Sequence, residues 1–476
     1  MKGLSKTLVC LLACFTLGIG TLCAKVLDNQ TADTTTILSN SALPFRISIE
    51  QANFTLPVGL HSGVVGVYKG QWIFIAGRLN GLHGFDPVNN FPPDEQNTSI
   101  YVVNPATGSV SSRALSDPSS GLSRQQIDTL SVTSPQGYQE GNTLYMTGGY
   151  GVDTNSATFG TKPVLTAFNL PGIVDWVTQP GNPNTSVVNN MTQIYNQIFQ
   201  ITGGRMYKLG NLTQIVFGQD FEGPYTDGSN GVYSEQVRQF SLNNVGGQLS
   251  VNIANSMPSV PNPNFRRRDL NVVPVMLNNN NQLQYGLVAY AGVFTLSGGA
   301  WTVPVIMNGT NDPVMADPTL STTFKQGMNQ YVCATASLYS RKFTSNYNIF
   351  FGGLSYGQYV NGVFTVDAEL PFINQVTTVQ IDKNNNFTQY LMDGQYPFIP
   401  VPLSSPQTPL FFGAGAYFIP TNITQYSNRV LSLDSIRTPT VIGYIVGGIQ
   451  SIIGDTSSNS DSAASQYVFK VTLTPT

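Results

Sequence analysis

Six times along the chain a short apolar run ends in a pair of small or glycine-containing residues, and a polar loop and a second apolar run follow. The pairs close the runs Ile75-Ala76-Gly77, Thr147-Gly148-Gly149, Phe217-Gly218, Ala291-Gly292, Phe351-Gly352-Gly353 and Val446-Gly447-Gly448. A unit that recurs in this way implies a repeat architecture, in which each unit buries its apolar face against the next. The first unit reads as four strands at 62–68, 71–76, 98–104 and 109–115, joined by Lys69-Gly70, a long loop and a Pro105–Gly108 turn. Gly and Asn-Pro turns between β-branched and aromatic runs are hairpin chemistry. Third strands recur at 164–168, 237–242 and 376–381, and no amphipathic helix longer than two turns is expected.

The N-terminus is set aside before fold reasoning. Lys2 and Lys6 precede an apolar stretch over 7–22, and Leu22-Cys23-Ala24 offers a small residue for cleavage. Residues 1–24 therefore read as a secretory signal peptide, too short and wrongly flanked for a membrane span. A lipobox at Leu11–Cys14 is the weaker reading, because the apolar run continues past Cys14. The expected location is secreted, periplasmic or cell-surface. Residues 25–44 lack periodicity and read as a flexible lead-in, with a single domain over 45–476.

Composition agrees with export. Charged residues make up 10% and the formal net charge is −3, so neither nucleic acid nor an anionic membrane is an expected partner. Three of the four cysteines lie in the first 24 residues, which leaves Cys333 alone in an apolar run. No internal disulfide can form in the mature chain, and a buried, inert thiol is expected. A monomer held by its core is anticipated.

The order of glycine pair, aromatic-bearing third strand, turn and apolar fourth strand (with Trp176 in the second unit) resembles the kelch repeat. The resemblance covers about 45–476 and implies a β-propeller, six four-stranded blades around a central channel. Blade four departs from it, with only 301–307 left for two outer strands, and blade six carries an insertion around 406–440. The final run at 467–473 matches a third strand, so the last blade lacks its fourth. The strand-like 45–50 segment is expected to supply it, which would remove an exposed edge.

In an antiparallel blade, the long loops between strands two and three leave the same side as the connections into the next innermost strand. Long loops on a rigid scaffold concentrate binding residues. The candidates on this face are Arg78 and His83 of blade one, Asp220 and Glu222 with Phe221, Tyr225 and Asp227 of blade three, and Tyr356 of blade five. The starts of the innermost strands are expected to carry His61, Asp128, Asn196, Arg266-Arg267-Arg268-Asp269 and Asn329-Gln330 around the channel mouth. Arg268 reads either as a planar donor for a carboxylate or sugar acid, or as a linker ion-paired to Asp269. The spacing of the 220–227 loop fits no calcium motif.

The kelch-like propeller of galactose oxidase needs histidines and a tyrosine–cysteine crosslink for copper. With only two histidines and one apolar-strand cysteine, copper chemistry is argued against, as is a zinc site of the glutaminyl-cyclase propeller type. The Ser-x-Asp-x-Gly-x-Thr-Trp box of sialidases is absent. No cofactor or metal is expected. The reading is a binding module that takes a glycan or protein through its long-loop face. The alternative is a metal-free sugar-acid (sialate-type) mutarotase, with Arg268 for the carboxylate and Asp220 or Glu222 as the acid–base group.

Overall fold

The computed structural model describes residues 37–476 apart from 227, 280, 281, 310, 457 and 458. The signal-peptide and lipobox readings fall on 1–24, outside the described residues. Among those described, no helix is long and apolar enough to cross a membrane.

The protein is all-β, built from small antiparallel sheets. Sheet one holds Val64–Tyr68, Gln71–Ile75, Ser99–Asn104 and Ser109–Ala114 in spatial order. Sheet two holds Gln136–Glu140, Thr143–Thr147, Val164–Asn169 and Met191–Tyr195; sheet three holds Arg205–Leu209, Leu212–Val216, Val237–Val245 and Gln248–Ile253. Sheet four has two long strands, Asn271–Asn279 and Gln282–Tyr290, and two vestigial ones, Val305–Met307 and Val314–Met315. Sheet five is built on Ala334–Ser340, Ser345–Leu354, Phe372–Ile381 and Phe387–Leu391. Sheet six orders Tyr417–Pro420, Thr440–Val446, Val468–Pro475 and, outermost, Phe45–Gln51.

That outermost strand pairs antiparallel with the last strand of the chain, from Phe45 opposite Pro475 to Gln51 opposite Phe469. Its period-two pattern explains its place: Phe45, Ile47 and Ile49 are buried, whereas Arg46, Ser48 and Glu50 are exposed. Apolar cores lie between sheets in chain order. Leu144 and Phe168 pack on Ile73 and Ile75, Ile215 and Phe240 on Tyr145 and Leu165, and Val272 and Leu287 on Val216. Phe350 and Val379 pack on Val273 and Val288, and Ile442 and Ile445 on Ile349 and Phe351. Ile419 and Val446 of sheet six then pack on Trp72 and Phe74 of sheet one.

Three sequence expectations are corrected. Trp176 is on no strand. Leu170–Thr178 is a helix longer than two turns, opened by Pro171 where a missing N–H is harmless, and it buries Leu170, Ile173, Trp176 and Val177 against sheets one and two. The insertion at 406–440 contains the innermost strand of sheet six, Tyr417–Pro420. The packed chain also starts ahead of Phe45: Leu38–Ser39 pairs in parallel with Tyr390 and Leu391, and Leu43 is buried.

Candidate functional site

The paired residues of the repeat all occupy the left-handed region. The first of each pair (Ala76, Gly148, Phe217, Ala291, Gly352, Gly447) has φ between 52° and 66°, and the second, always glycine, has φ between 84° and 94°. A side chain is tolerated at the first position, as Phe217 shows. At the second it would strike the entry to its own sheet: a Cβ on Gly77 would sit 2.3 Å from the His61 carbonyl oxygen, and one on Gly353 2.8 Å from Cys333 Cβ. The chain turns here, and the next residue pairs with the residue entering the innermost strand: Arg78 with His61, Tyr150 with Thr133, Gln219 with Thr202, Val293 with Arg268 and Leu354 with Tyr331.

One residue further along each entry, Ser62, Ser134, Gly203, Asp269, Val332 and Gly415 all have positive φ. They are linked by backbone hydrogen bonds that cross from sheet to sheet. Asp269 donates to Gly203 (2.7 Å), Gly203 to Ser134 (3.0 Å), Ser134 to Ser62 (2.8 Å), Ser62 to Gly415 (3.5 Å) and Gly415 to Val332 (2.6 Å). This main-chain collar floors a cavity of about 200 Å³ to which all six sheets contribute.

The walls are largely aromatic. His83 contacts Phe85, Phe91 and Tyr225 with ring centroids 4.9–5.1 Å apart. Phe221 contacts Tyr225 at 5.2 Å and Tyr150 at 5.6 Å. The loops of sheets one and three thus meet over the mouth, tied by Asn90 N–H donating to the Tyr225 carbonyl at 2.8 Å.

Arg268 is the cation that lines this cavity. Its Nη2 donates to the Tyr225 hydroxyl at 3.0 Å, and the guanidinium lies 5.3 Å from the Phe294 ring centroid. Nε stands 3.8 Å from Asp269 Oδ2 and has no hydrogen-bond partner. Burial opposes its charge, but Tyr225, Tyr233 and Asp269 outweigh that, so its pKa rises. For Asp269 burial wins over Arg268, and its carboxyl is pushed up. The two tendencies disagree about the strength of the pair, and the 3.8 Å separation decides for a loose contact that leaves Arg268 incompletely neutralised. Arg268 is buried, at 7%.

Both histidines are neutral. Burial and then Arg78 push His61 down to about 3. Its Nε2–H donates to the Asn80 carbonyl, and its Nδ1 faces the Ser62 hydroxyl, each at 2.9 Å. His83 is pushed down to about 4, chiefly by burial, and Nδ1–H donates to the Gly84 carbonyl at 2.8 Å, which leaves Nε2 as an acceptor. Both line the cavity.

The other candidates lie elsewhere. Arg78 is buried behind Phe91 (4.9 Å to the ring centroid) with Nε on Asn80 Oδ1 at 2.9 Å, and Nη1 is unpartnered. Arg266 covers the Tyr233 ring at 3.9 Å. Arg267 is fully buried, donates to the carbonyls of Ala291 and Val303, and is pushed down to about 9 by burial. Asp128 is paired with Arg124 at 2.6 Å and accepts from Thr154, holding the Arg124–Leu130 helix. Asp220 and Glu222 flank Phe221 but do not line the cavity; Gln200 Nε2 donates to both, at 3.1 and 2.8 Å. Asp227 lies outside the described residues. Tyr356 is held through its N–H by Asn329 Oδ1 at 2.8 Å, off the cavity. Cys333 is buried, its thiol pushed up to about 12 by burial.

Of the loop candidates, Phe221 and Tyr225 are in the lining, whereas sequence reasoning missed Tyr150, Phe294, Tyr331 and Glu369, which line it too. The signal for Tyr150 was present, because it directly follows a repeat glycine, as Arg78 does. Among the described residues, no group of three or more His, Cys, Asp or Glu could hold a metal ion.

No family model matches the chain, and no curated protein matches it. Among solved structures, one titled "Structure of YjhT" is similar to it, with a TM-score of 0.45 and 11% identity, covering 88% of this chain and 98% of that one.

Proposed function

We propose that the six sheets are blades of a kelch-like β-propeller closed by the Phe45–Gln51 strand, and that the protein is an exported binding module. Its mouth takes a small ligand with an anionic group and a flat apolar face, a carboxylate-bearing sugar or glycan end. The observation that carries this reading is Arg268, a buried cation with an unpartnered Nε in a cavity whose other walls are aromatic and neutral groups apart from the carboxylates of Asp269 and Glu369. Concave, mostly apolar sites with a few fixed polar groups are the usual form of a small-molecule pocket. Planar guanidinium donors suit carboxylates. Export rests on the signal-peptide pattern of 1–24.

A second reading, a metal-free sugar-acid mutarotase, needs an acid–base group beside Arg268. Asp220 and Glu222 are displaced from the cavity, but His83, whose Nδ1 is engaged by the Gly84 carbonyl, lines it. One experiment separates the two. N-acetylneuraminic and galacturonic acids are titrated against wild type and Arg268→Ala by calorimetry, while anomer exchange is followed by NMR. A binding module holds the acid, loses about 1.5–3 kcal/mol on removal of Arg268, and leaves exchange at the uncatalysed rate. If neither acid binds, the carboxylate reading fails.

A further inference from the structure

A second cavity of about 220 Å³ lies away from the mouth, between the hairpin of Gly357–Val360 and Val363–Val366 and the segment leading into sheet six. Its aromatic walls are Tyr359, Tyr396, Phe398 and Phe411, and its polar groups are the amides of Gln358, Asn374, Gln375 and Gln395. No charged side chain lines it. Phe398 is 61% exposed at its edge, so one face of its ring is open to an occupant of the cavity.

The amides fall into two sets. Gln375 accepts from the Tyr359 N–H at 2.9 Å and donates to the Tyr359 carbonyl, and Asn374 does the same for Phe412 N–H and Leu410 carbonyl. These two are spent on the backbone and fix the walls. Among the described residues, the side chains of Gln358 and Gln395 make no hydrogen bond, so both offer a donor and an acceptor at the cavity they line.

We infer that this cavity is a subsite for a neutral saccharide. A pyranose offers an apolar C–H face for an exposed ring such as Phe398, and adjacent hydroxyls that both donate and accept, matching an amide. The absence of charge excludes a sugar acid or a phosphate as the preferred occupant. An extended peptide is disfavoured, because the strand edge it would pair with at Tyr359 is already closed by Gln375.

The test titrates wild type, Phe398→Ala, Gln395→Ala and Arg268→Ala with methyl glycosides of glucose, galactose, mannose and N-acetylglucosamine, and with cellobiose and chitobiose, by NMR and calorimetry. At least one sugar should bind wild type, about tenfold weaker in Phe398→Ala and several-fold weaker in Gln395→Ala. Melting temperatures should be unchanged, since both side chains are exposed. Arg268→Ala should leave this affinity within twofold, which separates the subsite from the mouth. Failure of every sugar to bind, binding unaltered in Phe398→Ala, or loss in Arg268→Ala alone overturns the assignment. Binding of a proline-containing peptide at Phe398 in place of sugar would do the same.

Discussion

The N–H of Gly448, in the last sheet, donates to the carbonyl of Leu60, just ahead of the first, at 2.8 Å. The same bond joins Gly77 to Val132, Gly149 to Ile201 and Gly218 to Arg267, so the last sheet treats the first as its successor. Each of these four glycines therefore turns the chain and reaches the neighbouring sheet with one N–H.

Gly448→Ala should destabilise the protein by about 2 kcal/mol or more. Its φ is 90°, and a new Cβ would lie 2.8 Å from Ala416 Cβ. Ala76→Gly, at the first position of a pair, should change stability by less than about 1 kcal/mol. Chemical denaturation of both variants checks the contrast, and equal losses would remove the distinction between the two positions.

Phe45→Ala should cost about 3–5 kcal/mol, the usual loss for a fully buried phenylalanine. Phe45 is 0% exposed and meets Tyr347 edge to face at 5.4 Å. Arg46→Ala, one residue on and exposed, should be nearly neutral. A similar melting temperature for all three proteins would show that the N-terminal strand contributes little.

Stability should fall as pH drops below about 6.5. His61 and His83 titrate near 3 and 4 when folded and near 6.5 when unfolded, so the unfolded chain binds more protons in that window. Between pH 6.5 and 5 the two together should cost about 2–4 kcal/mol. Burial raises the carboxyls of Asp220, Glu222, Asp269 and Asp455, which act with the opposite sign at the acid end. A His61→Gln, His83→Gln double variant should lose the decline, as read from urea midpoints at pH 7 and pH 5.

Arg267→Met should leave ligand binding at the mouth intact, because Arg267 faces Trp301 (4.6 Å) and two carbonyls, not the cavity. Arg268→Ala should abolish or strongly weaken it. Calorimetry on the pair distinguishes neighbours that the sequence presents as equivalent. Equal loss of affinity in both would mean the triplet acts as one basic patch.

The sequence made the repeat legible because the left-handed turn leaves a compositional mark, glycine at every second position. The strands of sheet one and the strand at Phe45–Gln51 were readable from period-two patterning and turn residues. Asp128 and Asn196 were misplaced because the Arg124–Leu130 helix and the turn at Gln197–Phe199 delay entry into the inner strands, which occurs beside Thr133 and Thr202. Proximity across the mouth was not readable. His83 and Tyr225 meet because two loops fold inward, a tertiary outcome with no local signature. Trp176 misled because a buried tryptophan suits a helix facing two sheets as well as it suits a strand.

The collar has a consequence for how this molecule could change. Since the bottom of the cavity is drawn in peptide groups, its outline does not depend on which side chains surround it. Exchange of Tyr225, Phe221 or His83 would then alter what the pocket accepts while its depth and diameter stay fixed. A scaffold of this kind separates the problem of staying folded from the problem of choosing a ligand, and a library confined to the wall residues should return altered selectivity without a matching loss of stability.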